Sequence, residues 1–531
     1  MGNPHTQHQY TGHGEGAIRG ALQGIAAAIC VLPTGKMGEW VTLRSIADLY
    51  REFGSKPTQT DPGFNDWWNL YMSLKNSTYN RKCYLTLYIM RTAHYSDYTD
   101  PSTLTAQAGS VSFNDADSSA TLKLEDMYPR DDVFSGKIIA SDLDSSGMFD
   151  IEIYKDGSLH DECRNVNMTP GSVNYVITRV GTKRDWKAID LGVGTLPEAT
   201  ESAQAFSGGD GGSDDLEYTD LIGTLHATGN TGLYALSEFG LLEKPEHVMI
   251  PHKFTLASET RLLMKALESF CYSYNYIPVI RTPEGYDRDD VKDYSLATGD
   301  HAGLGAFGND IGGTIPLWPW GTPPELMKEQ VSGSELPPRI SPEGSKIGAL
   351  ARCIGKKGIE ETASGKHYGD SGFAELERKT NSDDSELLDP LGWQVCRSDL
   401  GNIWWGHYTL STDPAFLDET VRRADNYLIR SIDEATMEDI SRKASPIKLR
   451  SIERRIRAFL RNFFNGHRDM FRYDTFEESV EVDVVGQNDV ESQDYAEGKI
   501  YTRWVCRYAS SIHDLIHRYS HEAKRTETET E

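Results

Sequence analysis

The sequence has no apolar run long enough to cross a membrane. Its longest apolar stretch is IAAAICVLP at residues 25–33, whereas a membrane-spanning helix needs about 20 such residues. The N-terminal stretch MGNPHTQHQYTGHGEG contains neither a basic leader nor an apolar signal core. We therefore expect a protein that is not inserted into membranes and that is made and used in the cytoplasm.

Positive charge and paired cysteines are also scarce. Lys and Arg number 54 against 80 Asp and Glu, so the formal net charge is −26. Affinity for nucleic acid rests largely on Lys and Arg that displace counterions, so we expect no direct binding of DNA or RNA. The seven cysteines are scattered singly and their number is odd. This pattern predicts free, mostly buried thiols.

Motifs for catalysis and for cofactor or metal binding are missing, or lie in the wrong context. The glycines of GLGAFG at 303–308 have dinucleotide-binding spacing, but no apolar strand precedes them and glycines and prolines follow. His5, His8 and His13 lie in a polar terminus without acidic or thiol partners for a metal. There is no Gly-x-Ser-x-Gly elbow and no His-Glu-x-x-His helix. We predict no catalytic residue, no cofactor and no metal site.

The chain length and the order of its patterns predict several domains. At roughly 150 residues per domain, 531 residues correspond to three or four. Apolar spacings of three and four over 40–53 predict an amphipathic helix, and residues 83–91 read as a buried strand. Because strand and helix patterns alternate, we predict a mixed α/β fold.

A compositional change marks an insertion. From about residue 103 to 194 the chain is rich in Asp, Ser, Gly, Val and Thr, and the runs at 149–154 and 173–180 predict strands. The predicted regions are an N-terminal arm (1–20), the first part of a core domain (21–102), an inserted β-rich outer domain (103–195), an α/β middle region (196–390), a C-terminal core domain (391–510) and a C-terminal arm and tail (511–531).

One predicted helix is strongly basic in this acidic chain. In SPIKLRSIERRIRAFLRNFFNGHR, Ser445 can cap the first turn, Pro446 suits the first helical position and Gly466 ends the helix. An apolar stripe runs along one side, and the basic residues are Lys448, Arg450, Arg454, Arg455, Arg457 and Arg461. These cations either pair with the protein's own acidic surface or form a docking face for an acidic partner.

Several short motifs occur in an order that is typical of one protein family. The opening segment 18–54 ends in Phe-Gly, and the segment from Pro337 to Arg352 carries Pro-Pro, Gly and Ala-x-x-Arg positions. The most specific match is the loop formed by Ser207, Gly208, Gly209, Asp210 and Gly211. Further matches are a Trp-Gly-x-x-Thr-Leu strand at Trp405, Gly406, Thr409 and Leu410 and an Arg-Arg helix at Arg422 and Arg423.

Taken together, these motifs resemble the contractile tail sheath proteins of bacteriophages and related injection machines. The resemblance implies an α/β core built from N- and C-terminal parts, an inserted β-rich domain and extended terminal arms. It further implies a homo-oligomer of hexameric rings, stacked helically around an inner tail tube protein, with baseplate and tail terminator proteins as further partners. Contraction of such a sleeve drives the tube through a target cell envelope, and no enzyme activity is implied.

The resemblance also implies roles for two parts of this chain. The terminal arms, up to about residue 20 and from 511 to 521, would add strands to the sheets of neighbouring subunits. We further hypothesise that the basic helix faces the tube. The implied location is a virion tail assembled in the host cytoplasm, or a cytoplasmic injection apparatus.

Two other functions remain open at this point. The chain could be a cytosolic hydrolase that uses acidic residues whose connection the sequence does not show. Alternatively, it could be another self-assembling protein that forms closed shells instead of open sleeves.

Overall fold

A computed structural model describes residues 18, 20–131, 134–144, 147–181, 185–227, 229–241, 243–310, 313–329, 337–440, 443–489 and 491–509. Nearly all of the two predicted arms, 1–20 and 511–531, therefore lies outside the described residues. Within the described ranges, no helix has the length and apolar character that crossing a bilayer requires. All seven cysteines are free, and five of them are buried, which confirms the prediction for the thiols.

The fold is built from short strands and helices of mixed length. The strands are β1 (Ile25–Cys30), β2 (Trp40–Leu43), β3 (Thr78–Tyr79), β4 (Lys82–Cys83), β5 (Thr86–Arg91), β6 (Ser110–Asn114), β7 (Ala120–Asp126), β8 (Phe134–Ala140), β9 (Phe149–Lys155), β10 (Ser158–Val166), β11 (Trp186–Asp190), β12 (Gln204–Ala205), β13 (His247–Met249), β14 (Ile277–Arg281), β15 (Ile315–Trp318), β16 (Gly321–Thr322), β17 (Glu375–Leu376), β18 (Gln394–Arg397), β19 (Ile403–Trp405), β20 (Val480–Asp483) and β21 (Arg503–Cys506). The α-helices are α1 (Ile46–Phe53), α2 (Phe64–Asn76), α3 (Val176–Val180), α4 (Tyr218–Ile222), α5 (Ala257–Tyr274), α6 (Arg288–Leu296), α7 (Glu343–Lys357), α8 (Gly365–Tyr368), α9 (Ser382–Leu388), α10 (Glu419–Met437), α11 (Pro446–Gly466), α12 (Phe476–Ser479) and α13 (Gln493–Ala496).

An eight-stranded sheet forms the centre, in the order β19-β18-β15-β14-β13-β1-β5-β2. The six inner strands are parallel, and the edge strands β2 and β19 are antiparallel to their neighbours. Parallel sheets need cover on both faces, which explains why all six residues of β1 are buried. Strands from both ends of the chain share this sheet, as the predicted α/β core requires.

Successive side chains of β1 point to opposite faces of the sheet. Ala26 and Ala28 join the apolar cluster that contains α2 and α7. Ala27 and Ile29 join the cluster on the other face, which contains α5. The small alanines let helices pack closely on both faces.

Helices α2 and α7 cross at very short distance because α7 carries glycines at the contact. A Cβ on Gly344 would overlap with the backbone carbonyl of Asn69, and a Cβ on Gly348 would lie 2.6 Å from the carbonyl oxygen of Ser73. The amide of Gly344 also donates to the Asn69 Oδ1, at 2.8 Å. Gly344 and Gly348, which lie in the motif segment from Pro337 to Arg352, therefore allow α2 and α7 to pack closely.

The region predicted as a β-rich insertion, 103–195, forms two antiparallel sheets that follow β5, and strand β12 completes one of them from beyond the predicted end. Their orders are β10-β9-β8-β12 and β11-β7-β6, and they share one apolar core that includes the fully buried Trp186. The strand prediction for 149–154 is confirmed by β9. The mixed α/β fold with several sheets is thus the one that the sequence predicts.

Two local predictions were wrong. Residues 173–180 are not a strand, because Val176 and Val180 are buried on the same side of the short helix α3 at a spacing of four. Residues 40–53 are not one helix. Trp40–Leu43 pair with β5, and the helix begins only after Ser45, whose side chain accepts a hydrogen bond from the Asp48 amide.

Helix α10 lies between the central sheet and the C-terminal helical layer, and its two faces differ. Residues advance by about 100° along a helix, so Ala424, Leu428 and Ile432 share one face, and they pack in the same apolar cluster as α11. The opposite face is polar and buried, and comprises Glu419, Arg423, Asn426 and Arg430.

Candidate functional site

The basic helix forms as the sequence predicts. It is α11, which begins after Ser445, whose side chain accepts a hydrogen bond from the Lys448 amide at 3.2 Å. Pro446 occupies the first position and Gly466 the last. The inner face is apolar and buried, and includes Leu449, Ile452, Ile456, Leu460 and Phe463.

Four of the six basic residues of α11 are held by groups of the same chain. Asp439, in the turn after α10, pairs with both Lys448 and Arg455. Arg457 donates to the carbonyl oxygen of Val482 at 2.9 Å and lies 4.0 Å from Glu453. Arg461 pairs with Glu477 at 2.8 Å. These four cations follow the first of the two readings, in which the basic residues pair with the protein's own acids.

Arg450 and Arg454 differ from the other four. Both are exposed, and no ion pair to either of them is found among the residues that the structure describes. Ile447 lies on the same helical face, three residues before Arg450, and is 76% exposed. Met437, the last residue of α10, is 54% exposed, and Ile440 in the turn that follows is 68% exposed. We call Met437, Ile440, Ile447, Arg450 and Arg454 the corner patch.

The corner patch combines three exposed apolar side chains with two exposed arginines. Burying large apolar side chains against a partner would gain free energy. The two arginines form no ion pair within the described residues, and Arg454 Nε donates to the Arg450 carbonyl oxygen at 3.3 Å. A partner surface with carboxylates around an apolar centre would complement both features.

A two-stranded sheet lies against α11. Strands β20 and β21 pair antiparallel, and Val480 and Val482 point inward into the C-terminal apolar cluster. Neither strand pairs with a third strand within the described part of the chain. An open strand edge presents unpaired amides and carbonyls and can accept an additional strand. On β20, the carbonyl oxygen of Val482 already accepts a hydrogen bond from Arg457.

The Ser-Gly-Gly-Asp-Gly loop lies where the inserted sheets return to the core. Ser207 and Asp210 pair with Ser110 and Gln107, at the start of the insertion. The amide of Gly211 donates to Asp131 Oδ1 at 2.9 Å. The positive φ of 76° at Gly208 suits glycine. The loop therefore joins two parts of the chain.

Arg91 completes this junction, and sequence reasoning missed it. Its buried guanidinium donates to the carbonyl oxygens of Leu32, Gly35, Pro129 and Gly211. Burial lowers the pKa of Arg91 to about 9. An arginine that ends the apolar run 83–91 was the available signal.

The Trp-Gly-x-x-Thr-Leu motif begins in edge strand β19 and continues into the loop that leads to α10. Gly406 has φ of 94°, and the hydroxyl of Thr409 donates to the Phe416 carbonyl at 2.8 Å. The amide of Leu410 donates to the Thr314 carbonyl at 3.0 Å. Trp405 stacks against Arg397, at 5.0 Å from the ring centroid.

The Arg-Arg pair lies in the first turns of α10. Arg422 donates to the side chain of Asn275 at 2.6 Å, and Arg423 donates to the Glu361 carbonyl at 2.6 Å. Arg423 also lies 3.6 Å from Glu419, which in turn lies 3.5 Å from Lys346. These motif residues therefore orient α10 on the sheet.

The sheet edge that usually binds ligands in α/β proteins is filled with side chains. This position is the crevice at the carboxyl ends of the strands where the strand order reverses, here between β1 and β13. Asp66 accepts from the Val31 amide at 3.2 Å and lies 3.0 Å from His252 Nδ1. Arg281 and Glu343 form a buried ion pair beside them. Side chains thus occupy this crevice, although Arg281 Nε and Glu343 Oε2 have no hydrogen-bond partner among the described residues.

Two open clefts lie elsewhere on the surface. One, of about 420 Å³, is lined partly by Glu360, Asp389, Trp405 and Asp469. The other, of about 380 Å³, is lined by mixed charges around Trp318. Within the described ranges, no group of three or more His, Cys, Asp or Glu side chains could hold a metal ion. The first cleft is also lined by Ser364 and His407, and the Ser364 hydroxyl donates to the Trp404 carbonyl oxygen at 3.3 Å.

Comparisons of sequence find no relatives, since no family model matches the chain and no curated protein matches it. Solved structures, in contrast, match it along nearly its whole length. The sheath tail protein from Desulfitobacterium hafniense aligns with a TM-score of 0.54 at 12% identity, over 94% of this chain and 99% of that protein. The helical sheath of the anti-feeding prophage in its contracted state aligns with a TM-score of 0.55 at 11% identity, over 98% of this chain and 100% of that protein.

The sheath tail protein from Listeria innocua gives a third match, with a TM-score of 0.51 at 11% identity over 91% of this chain and 95% of that protein. The chain therefore has the fold of the contractile tail sheath proteins. The resemblance drawn from its motifs is confirmed at the level of the fold.

Proposed function

We propose that this protein is the structural subunit of a contractile sheath. The observation that carries the proposal is the match of fold over almost the full length of both this chain and solved sheath proteins. These neighbours are structural sheath proteins, and the ligand crevice of the sheet is filled in this chain. Neither the hydrolase nor the closed-shell alternative has a comparable observation in its favour.

In this proposal, subunits form hexameric rings that stack around an inner tube and contract to drive the tube through an envelope. The partners are other copies of the chain, the tube protein, and baseplate and terminator proteins. Contraction requires a metastable extended state, which weak contacts to the tube hold until release. The assembly acts as a virion tail or as an injection apparatus.

We assign the acceptor of the terminal arms to β20 and β21. Both strands are short, neither pairs with a third strand within the described residues, and their inner side chains are already buried. An added strand would therefore bring main-chain hydrogen bonds without disturbing the core. The arms that would pair with these strands are the predicted segments 1–20 and 511–531. Main-chain bonds between subunits would keep the lattice connected while the cores move.

We assign the tube contact to the corner patch. This assignment limits the prediction for the basic helix to two of its six cations, Arg450 and Arg454. Lys448, Arg455 and Arg461 are neutralised within the chain, so Arg450 and Arg454 carry the attraction. Screened surface charge pairs contribute only about 0.2–1 kcal/mol each. Contacts of this strength, repeated over many subunits, can hold a sheath on its tube and still release it.

The test is charge reversal on the corner patch. With Arg450→Glu and Arg454→Glu together, we expect roughly tenfold weaker association of each subunit with tubes, because two attractions become repulsions. Negative-stain images of protein made together with its tube protein should then show empty contracted sleeves instead of tube-filled ones.

The matched control reverses two exposed lysines far from α11 in the chain, Lys292→Glu and Lys379→Glu, which change the net charge equally. The control should assemble on tubes as the unmodified protein does. Tube-filled sleeves in normal numbers from the Arg450/Arg454 variant would refute the assignment of the tube contact. Discrete small particles from the unmodified protein would refute the sheath function itself.

A further inference from the structure

The first described residues are fixed on helix α10. The amide of Ala21 donates to the hydroxyl of Ser431 at 2.9 Å in a buried contact. Gly20 lies so close to Tyr427 that a Cβ on it would overlap with the tyrosine hydroxyl. Ile18 packs against the apolar cluster shared by α10 and α11. The start of the described chain, residues 18–21, is therefore held against α10.

The last described residues are fixed on the same helix. The hydroxyl of Tyr508 donates to Asp425 Oδ1 at 2.9 Å. The ring of Tyr508 lies 5.6 Å from that of Phe471, and the amide of Ala509 donates to the Met470 carbonyl at 2.8 Å. The end of the described chain is therefore held at Asp425 of α10. This residue lies two positions from Tyr427 and six from Ser431, which hold the N-terminal segment.

The geometry of α10 places these contacts on either flank of its apolar stripe. At about 100° per residue, Asp425 lies on one side of Ala424 and Leu428, and Tyr427 and Ser431 lie on the other. The remaining face binds the sheet through buried polar groups, as when Arg430 donates to the Lys244 carbonyl at 2.7 Å.

We propose that α10 is the common anchor of the two terminal segments, so that tension on either segment reaches the central sheet through this one helix. The inference rests on the proposed function, in which both segments bridge to neighbouring subunits. It assigns Ser431 and Tyr508 as positioning residues for the arms.

The test compares single and double variants of the full-length chain. Ser431→Ala removes the acceptor of the Ala21 amide, and Tyr508→Phe removes the hydroxyl that binds Asp425. We expect each single variant to dissociate from sleeves at a lower urea concentration than the unmodified protein, as followed by sedimentation. The double variant should lose less than the sum of the two single losses, because both act on one helix.

Matched controls remove similar groups away from the anchor. Ser273→Ala deletes a hydroxyl that donates to the carbonyl four residues earlier in α5, and Tyr501→Phe deletes an exposed phenol that donates to Asp494. Both controls should dissociate at the unmodified urea concentration. Sleeves of the anchor variants that persist like those of the controls, or losses that simply add, would overturn the common anchor.

Hydrogen exchange on the unassembled protein tests the anchor without sleeves. Tyr508→Phe should speed exchange in the peptide that contains the Ala21 amide by about fivefold, which corresponds to the loss of one hydrogen bond. Unchanged exchange there would overturn the anchor even if sleeves form. If the unmodified protein forms no sleeves but the exchange changes as expected, the proposed function fails and the anchor stands.

Discussion

At the scale of single residues, buried charges decide how α10 is oriented. Lys346, Glu419 and Arg423 are all fully buried, and their charged groups lie 3.5–3.6 Å apart. Taking such charges out of water costs several kcal/mol per ion, so removing one partner leaves the others destabilising. Burial and the neighbouring Arg423 lower the pKa of His247 to about 3, so that this imidazole is neutral beside them. The cluster therefore fixes one orientation of the helix on the sheet.

Asp425 provides a pH-dependent prediction. Burial raises its pKa to about 6, while the hydroxyl of Tyr508 and the charge of Arg422 act in the opposite direction. The folded protein thus binds this proton more tightly than the unfolded chain, whose value is near 3.8. The cost of ionising Asp425 is absent below about pH 4 and complete above about pH 6.

Asp425→Asn should remove that cost and still accept the Tyr508 hydroxyl. We expect the variant to exceed the unmodified protein in free energy of unfolding by up to about 3 kcal/mol at pH 7, and by little at pH 4. Urea denaturation at several pH values measures the difference. The exposed control Asp494→Asn should change stability by less than about 0.5 kcal/mol at either pH. A difference for Asp425→Asn that does not vary with pH would contradict the prediction.

At the scale of elements, the contact between α2 and α7 depends on missing side chains. Gly344→Ala would force a methyl group against the Asn69 carbonyl, and neither backbone can move without disturbing the buried sheet beneath. Because overpacking a core costs about 1–3 kcal/mol, we expect the free energy of unfolding to fall by about 2 kcal/mol.

Gly466→Ala is the matched control for this substitution. Gly466 lies in the last turn of α11, and no atom lies within 4 Å of a Cβ built there. Alanine has the higher helix propensity, so this variant should be unchanged or more stable by up to about 1 kcal/mol. Urea denaturation of both variants measures their free energies of unfolding. Equal changes for Gly344→Ala and Gly466→Ala would show that the close contact of α2 and α7 is not the reason for a glycine at 344.

The helix α11 shows how far local pattern reaches. Its cap at Ser445, its apolar stripe and its end at Gly466 follow from residues that are neighbours in sequence, and all three were predicted. Its ion pairs were not, because the acids come from other elements: Asp439 precedes the helix and Glu477 follows it. Which arginines remain available to a partner is therefore decided by packing.

At the scale of the whole molecule, the terminal segments should separate folding from assembly. A chain limited to residues 18–509 keeps every described contact, so it should show the same thermal midpoint and circular dichroism as the full chain. We expect it nevertheless to remain monomeric in negative-stain images and the full chain to form striated hollow sleeves, because strands added across subunits would connect the lattice.

Deletion of residues 526–531 alone serves as the control for this truncation. These residues are the closing TETETE of the polar tail, outside the segment to which we assign strand exchange. We expect sleeves of normal length from this variant. Sleeves from the chain limited to 18–509 would show that the arms are not needed for assembly.

Much of the fold could be predicted because it depends on patterns that repeat locally. The β-rich insertion and helix α11 both carry clear apolar spacing. The errors arose where spacing was ambiguous. Val176 and Val180 suit a strand by residue type, yet they are four apart and pack on one side of a helix.

The sequence by itself determined the class of fold, the basic helix, the free thiols and the order of motifs that points to sheath proteins. Each depends on composition or on neighbouring residues. Only the tertiary structure decided that Arg91 donates to four carbonyl oxygens, that Arg450 and Arg454 form no ion pair within the described chain, and that Ala21 and Tyr508 each bind a residue of α10. These contacts join residues tens to hundreds of positions apart, and no local pattern encodes which distant groups will satisfy a buried charge or amide.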